Sequence, residues 1–206
     1  MTLAYVFWHR ARPEVEITDY ESDLNAFHAR LADVPIPGFV DSWSLRVPDL
    51  PWLTGGGYED WYLVDDFTAL GRLAEHAVDQ ARRPTHDVMA RAVRDGAGGV
   101  YSSAAGSVGV RSGWCGWFTK RAGVGYPQLR ADLDEVTDEL MDAGSSSVVW
   151  QRQLVLGPAP EFRVLAPGPV AVRGLDLMIA IAKARSHGRR SLRRARSRRR
   201  LRWSCP

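Results

Sequence analysis

The chain contains few cysteines and no long apolar stretch. It has two cysteines in 206 residues, Cys115 in an apolar run and Cys205 next to last, and no CxxC or Cys/His pair has the spacing of a metal site. Cysteines in such different contexts predict a reducing compartment rather than a disulfide framework. No stretch approaches the roughly 18 apolar residues of a membrane helix, and the apolar N-terminal run is too short for a signal peptide. These absences predict a cytoplasmic protein with no membrane partner.

Acidic residues are missing from the C-terminal end of the chain, and this changes what the net charge of +3 means. Eleven of the 27 basic residues lie between Lys183 and Arg202, and the last acid is Asp176. Residues 1–182 therefore carry 16 basic and 24 acidic residues, a net charge of −8. The pI of about 9.1 thus gives no reason to expect that the body of the protein binds nucleic acid.

Residues 183–206 are predicted to form a basic, disordered tail. Two explanations stay open. The tail is an arm that associates with nucleic acid through phosphate contacts, or it is a frameshifted C-terminus. The second explanation rests on composition, because GC-rich DNA translated in a wrong frame encodes mainly residues such as arginine, serine and glycine.

Apolar and polar patterns predict a β-α-β-β-α-β order for a first half, residues 1–104. Ala4–Arg10 is typical of a strand covered on both faces, with Tyr5, Phe7 and His9 sharing one face. The other predicted elements are a helix from Thr18 or Asp19 to before Pro35, strands at Phe39–Val47 and Tyr58–Val64, helices at Phe67 to about Arg82 and His86 to about Arg94, a glycine-rich helix stop at residues 96–99, and a short strand at Val100–Ser102.

A second, shorter half is predicted over residues 113–182. Its elements are strands at Trp114–Lys120, Val148–Leu156 and Phe162–Leu165, a helix at Tyr126–Leu140 and a last helix at Leu175–Ala184. The halves can be superposed as a duplication that places Phe7 on Trp117, Trp8 on Phe118 and Tyr20 on Tyr126. The second half lacks a copy of the Phe67–Arg94 helices.

This order of elements, opened by an aromatic-histidine strand, resembles the ferredoxin-like dimeric α/β-barrel superfamily, which includes antibiotic-biosynthesis monooxygenase-like, EthD-like and NIPSNAP-like proteins. The resemblance covers residues 4–166. It implies an α+β fold in which two ferredoxin-like β-α-β-β repeats, each with an antiparallel sheet, form a dimeric-type α/β barrel within one chain. Ligands of such barrels sit between sheet and helices. No cofactor is predicted, although haem branches of the superfamily leave haem open, and the chain is expected to be a monomer or a homodimer.

Histidines are the candidate catalytic groups. His9 ends the first strand, where it is either a general base or a structural histidine bonded at a strand end. His86 heads a helix, where it either polarises a ligand carbonyl or belongs to the capping region. His28 and His76 are expected at the surface or at a rim.

Arginine and tryptophan residues are the candidate ligand contacts. Arg46 and Arg152 lie in the second strands of their halves, where they bind an anionic ligand group or pair with Asp60 or Glu161. Trp8, Trp61 and Trp117, with Trp43 and Trp150, either line a pocket for a flat aromatic ligand or fill a core.

These residues support three hypotheses. The leading one is a protein that binds a small apolar or aromatic molecule and runs a cofactor-independent, oxygenase-like or isomerase-like reaction with His9. The others are a non-catalytic binding or assembly module, favoured if tryptophans fill the barrel, and nucleic-acid association through residues 183–206.

Overall fold

The computed structural model describes residues 2–33, 35–111, 113–142 and 144–187, with side chains described up to residue 180. Residues 188–206, including most of the predicted basic tail and Cys205, lie outside the described residues. The elements in the described part are β1 Leu3–Ala11, α1 Ile17–Asp33, β2 Phe39–Val47, β3 Gly57–Val64, α2 Phe67–His76, α3 Arg83–Ala92, β4 Val93–Gly106, β5 Gly113–Lys120, α4 Tyr126–Asp142, β6 Val148–Arg152, β7 Phe162–Ala166 and β8 Leu175–His187.

The strands form a closed antiparallel barrel in the order β1-β3-β2-β8-β5-β7-β6-β4. Each half contributes four neighbouring strands in the same relative order, β4-β1-β3-β2 from the first and β8-β5-β7-β6 from the second. The halves join where β2 meets β8 and where β4 meets β6. This is the predicted α+β fold, a duplicated ferredoxin-like barrel within one chain. Closure leaves no open sheet edge between the halves.

The register of the duplication differs by one residue from the superposition expected from the sequence. Trp8 pairs with Glu59 across β1 and β3, and Trp117 pairs with Arg163 across β5 and β7. Both tryptophans point into the barrel, so Trp8 corresponds to Trp117 rather than to Phe118. A shift of one residue moves every side chain of a strand to the opposite face.

Both faces of the first sheet are buried, which explains the two-sided apolar pattern of β1. Ala4, Val6 and Trp8 point into the barrel, whereas Leu3 and its alternate neighbours Tyr5 and Phe7 pack against α1, α2 and α3. In the second half α4 covers the outer face with a separate apolar cluster. Residues 167–174 between β7 and β8 contain no helix, as the sequence predicted.

Aromatic side chains and one ion pair fill the barrel interior. Glu59 and Arg163, fully buried at 0% and 1% exposure, meet through Oε1 and Nη2 at 2.6 Å. Trp8 and Trp61 also donate their indole N–H groups to Glu59, at 2.7 and 2.6 Å. The Arg163 guanidinium lies between the rings of Trp61 and Trp117, 4.7 and 4.5 Å from their centroids. Equivalent strand positions of the two halves therefore supply the opposite charges that join them.

Several predicted elements differ in type or length. The helix predicted from Phe67 to about Arg82 ends at His76, and the short strand predicted at Val100–Ser102 is part of β4. Leu175–Ala184 belongs to strand β8 rather than to a helix, and β8 continues five residues into the predicted tail. The glycine-rich residues 96–99 lie inside the 14-residue strand β4 rather than at a helix stop. The predicted strand Val148–Leu156 ends at Arg152, where the chain turns away.

The extent of β8 predicts different results for two C-terminal truncations. Arg185, Ser186 and His187 pair with Arg46, Leu45 and Ser44 of β2 and so form one of the two junctions between the halves. Ending the chain after residue 187 should leave the melting temperature unchanged, whereas ending it after residue 182 should lower it by several degrees, because these pairs are lost. Thermal unfolding followed by circular dichroism checks this. Equal melting temperatures for the two truncations would contradict the junction.

Candidate functional site

A cavity of about 560 Å³ lies between the outer face of the first sheet and helices α1, α2 and α3. Its volume is within the range of small-molecule sites. Most of its lining is apolar or aromatic, with few polar groups. The lining residues are Tyr5, Phe7, His9, Leu24, Phe27, Asp60, Tyr62, Leu70, Leu73, Ala74, Ala77, His86, Met89, Ala90, Val93 and Val100.

The mouth of the cavity lies between α2 and α3. Ala74 on α2 and Ala90 on α3 line the cavity and are exposed to solvent. His86, which also lines it, is partly exposed and lies 3.2 Å through Nδ1 from Asp87. These small, exposed side chains on α2 and α3 thus mark where the cavity opens to solvent.

A buried carboxylate between two imidazoles forms the polar end of the cavity. Asp60 Oδ2 lies 3.0 Å from His9 Nε2, and Asp60 Oδ1 lies 3.5 Å from His28 Nε2. Tyr62 donates its hydroxyl to Asp60 Oδ2 at 3.2 Å. Asp60 Oδ1 and the two Nε2 atoms are buried without an aligned hydrogen bond, although they lie within ion-pair distance. These atoms therefore have hydrogen-bonding capacity to spare.

The surroundings keep Asp60 ionised. Burial by itself would raise the pKa of this carboxyl group, but His9 and His28 outweigh that effect and hold its pKa well below the usual range. Burial and the charge of Asp60 together raise the pKa of Tyr62 and of Tyr5. A carboxylate thus faces the cavity among neutral phenols.

Both histidines are held through their second ring nitrogens as well. His9 Nδ1 meets the hydroxyl of Tyr20 on α1 in a short hydrogen bond, and His28 Nδ1 lies 2.9 Å from Ser42 Oγ on β2. The His9 ring stacks on Phe7, with centroids 5.2 Å apart, and the His28 ring stacks on Tyr62 at 5.4 Å. These contacts fix the ring planes before any ligand binds.

Strand register and two glycines position this site. Phe7 pairs with Asp60 on β3 and with Gly98 on β4, and Gly96 lies opposite His9. A Cβ atom on Gly96 would stand 2.8 Å from the Phe7 ring, and one on Gly98 would stand 2.9 Å from the Tyr5 hydroxyl. The missing side chains of β4 therefore make room for the aromatic rings that form the cavity wall.

The structure brings two of the predicted site residues together at the cavity, His9 at its buried end and His86 at its mouth. The predicted pocket tryptophans Trp8, Trp61 and Trp117 lie instead in the filled barrel interior, on the opposite face of the sheet. Of the two roles left open for them, the structure shows core filling and not pocket lining, because alternate residues of a strand point to opposite sides.

The predicted partners of the two arginines are also wrong. Arg46, largely exposed, pairs with Glu21 of α1 at 2.9 Å and contacts the Tyr58 hydroxyl at 3.3 Å. Arg152 donates to the carbonyl of Gly157 at 3.1 Å. Glu161 accepts hydrogen bonds from Tyr126 and Gln151. Neither arginine lines the cavity.

Asp60, His28 and Tyr20 are the site residues that the sequence did not indicate. His28, expected at the surface, is 8% exposed, and Asp60 is 3% exposed. One signal was available for Asp60. Asp60 shares a strand face with Tyr58 and Tyr62, two residues away on either side, and this face is covered by helices. A carboxylate buried there needs a partner.

The described residues contain no group of three or more His, Cys, Asp or Glu that could hold a metal ion. Each Nε2 atom of His9 and His28 faces Asp60, and each Nδ1 atom meets a hydroxyl group, so a haem iron at this end of the cavity would have to displace Asp60 from one of the two imidazoles. In the part of the chain that the structure describes, no helix has the length and hydropathy to cross a membrane.

The low pKa of Asp60 predicts how stability depends on pH. A carboxyl group whose folded-state pKa lies below its unfolded value of ~3.9 stabilises the fold above that value and loses this contribution as the pH falls through the folded pKa. Asp60→Asn should therefore unfold more easily than the wild type at neutral pH, and the difference should shrink below about pH 4. Urea titrations across this range measure it. A difference that grows on acidification would contradict the assigned pKa.

Solved structures of other proteins share this fold. No protein-family profile and no curated protein matches the sequence. A candidate monooxygenase from Lactobacillus acidophilus superposes with a TM-score of 0.56 at 6% identity, covering 90% of this chain and 94% of that one. A candidate monooxygenase from Fusobacterium nucleatum gives a TM-score of 0.56 at 8% identity, covering 80% and 74%. The chain thus has the ferredoxin-like dimeric α/β-barrel fold in tandem-duplicated form, and fold alone leaves its activity to be argued from the site.

Proposed function

We propose that the cavity binds a small, flat, largely apolar molecule that carries one weakly acidic O–H or C–H group, and that Asp60 with His9 removes this proton. The observation that carries the proposal is the ionised, buried carboxylate at the end of an otherwise apolar and aromatic cavity. A polar group at the end of an apolar pocket orients a ligand as well as reacting with it.

The chemistry follows from the contacts of the carboxylate. Asp60 lines the cavity as a carboxylate that can accept a proton, whereas both nitrogens of His9 already face Asp60 and Tyr20. Because the pKa of Asp60 is low, the proton does not stay on the carboxylate but passes to His9 Nε2, and the imidazole then carries the positive charge. If the ligand anion reacts with dioxygen, the reaction is oxygenase-like, and if it is reprotonated at another carbon, the reaction is isomerase-like. The similarity to candidate monooxygenases supports the first course.

Blocking the mouth tests the cavity as the binding site. Ala90→Trp should reduce the affinity for 4-nitrophenol, a flat phenol, by at least about tenfold, because an indole would fill the gap between α2 and α3. Ala81→Trp, on an exposed residue of the connection between these helices, is the matched control and should bind normally. Isothermal titration calorimetry measures both. Equal affinities for the two variants would place the ligand elsewhere.

Binding without turnover is the second candidate function. The aromatic filling of the barrel and the engaged nitrogens of His9 favour it. In that case ligands would bind in the cavity without forming a product, and Asp60→Asn would change their affinity alone. Nucleic-acid association through residues 183–206 stays a prediction, and an electrophoretic mobility assay of the chain ended after residue 187 tests it.

A further inference from the structure

We infer that His28 and Ser42 form a proton exit that carries the ligand's proton from Asp60 to solvent at strand β2. This inference rests on the proposed function and assigns roles to two residues that the proposal does not use.

The contacts from the cavity to the surface are continuous. Asp60 lines the cavity, and its Oδ1 atom lies 3.5 Å from His28 Nε2. His28 Nδ1 lies 2.9 Å from the hydroxyl of Ser42. Asp60 and His28 are buried, and Ser42 is partly exposed. The path thus begins at the ligand and ends where water can reach a hydroxyl group.

Each group on the path has the chemistry that a relay needs. An imidazole can accept a proton at one nitrogen while it releases one from the other, and a serine hydroxyl both donates and accepts. In the His28 tautomer with its proton on Nδ1, the ligand O–H bond breaks and the proton passes through Asp60 to Nε2. The Nδ1 proton then moves to Ser42, whose own proton goes to water. One proton enters, one leaves, and no electrons move.

A second route from the same cluster lacks a link. His9 Nδ1 meets the Tyr20 hydroxyl, and Tyr58, whose ring centroid is 5.0 Å from that of Tyr20, donates to Glu21 at 2.9 Å. Among the described hydrogen bonds, none joins Tyr20 to Tyr58. The path through His28 also has one link without an aligned hydrogen bond, from Asp60 Oδ1 to His28 Nε2, but these two atoms lie within ion-pair distance. The geometry therefore favours the path through His28.

The test uses the full chain, 4-nitrophenol and three variants. Phenolate formation in the cavity is followed by its visible absorbance, and proton release by an indicator dye in weakly buffered solution. Ser42→Ala should slow proton release at least about tenfold and leave the affinity and the final amount of phenolate unchanged. Ser42→Thr, which keeps the hydroxyl, should restore the rate. Ser44→Ala removes a buried hydroxyl two residues along the same strand, outside the path, and should have no effect.

The outcomes separate this inference from the proposed function. If the wild type forms phenolate and Ser42→Ala releases protons as fast, the exit through His28 is overturned and the mouth is the route. Slowing by Ser44→Ala to the same extent would overturn it as well. Absence of any phenolate in the wild type would overturn the proposed function together with the exit. Without ligand, Ser42→Ala should also slow exchange of the His28 Nδ1 proton with water, measured by nitrogen-15 NMR, and unchanged exchange would contradict the relay.

Discussion

Replacing Glu59 by Gln is expected to lower the free energy of unfolding by about 3–5 kcal/mol, because it leaves the Arg163 guanidinium charged and unpaired in the barrel interior. Arginine cannot lose its proton to relieve this cost, and the pKa of Arg163 is raised further by Cys115 and Glu59 despite the opposing effect of burial. The substitution also weakens the hydrogen bonds that Trp8 and Trp61 donate to the carboxylate.

A double substitution separates the contribution of the ion pair to stability from the cost of leaving one of its charges unpaired. Glu59→Met with Arg163→Met removes both charges and should cost far less than Glu59→Gln alone, because apolar side chains of similar volume replace a buried ion pair at little or no cost. Asp176→Asn is the matched surface control. It breaks the exposed contact of Asp176 with Arg121, 2.9 Å long, and should cost about 0–1 kcal/mol.

Urea unfolding followed by tryptophan fluorescence measures all three variants, since tryptophans surround the ion pair. A Glu59→Gln protein no less stable than the Asp176→Asn protein would contradict the account of the barrel interior.

Replacing Asp60 by Asn is expected to abolish phenolate formation from 4-nitrophenol while leaving the apolar part of the cavity able to bind the phenol. The amide has the shape of the carboxylate but accepts no proton at these pH values. General-base removal typically costs ~10²–10⁴-fold in rate. His9→Asn should reduce the rate by a smaller factor, because Asp60 keeps its contacts with His28 and Tyr62.

The matched control for these variants is Asp79→Asn. Asp79 also pairs with a histidine, His76, but lies outside the cavity. It should form phenolate at the wild-type rate. Phenolate formation by Asp60→Asn at that same rate would remove Asp60 from the proposed chemistry.

Local sequence patterns predicted most elements of the first half, and the reasons for the failures are physical. The pattern of Phe39–Val47 is strict enough that the predicted and observed strands coincide. Gly96 and Gly98 have low strand propensity, but they lie in β4 because the rings of Phe7 and Tyr5 occupy the space where their side chains would be. Pairing of β4 with β1, which is far away in the sequence, makes these residues part of a strand. A local sequence pattern contains no information on such pairing.

The last element failed for a related reason. The apolar run from Leu175 has the composition of a short helix as well as of a strand, and periodicity alone does not separate the two. Closure of the barrel decides for a strand, since β8 is the only element that fills the gap between β2 and β5 in the described part of the chain.

The sequence indicated only part of the candidate site. His9 was found because it shares a strand face with Tyr5 and Phe7. Its partner Asp60 depends on the register between β1 and β3, and His28 depends on how α1 packs on the sheet. Pocket and core both stayed open for the tryptophans because a strand pattern shows which residues share a face but not which face meets the helices.

The most direct test of the account is a crystal structure of the full chain soaked with 4-nitrophenol. The account predicts ring density between the first sheet and helices α2 and α3, with the phenol oxygen within hydrogen-bonding distance of the Asp60 carboxylate. A cavity without ligand density, or a ligand bound with its oxygen away from Asp60, would contradict it.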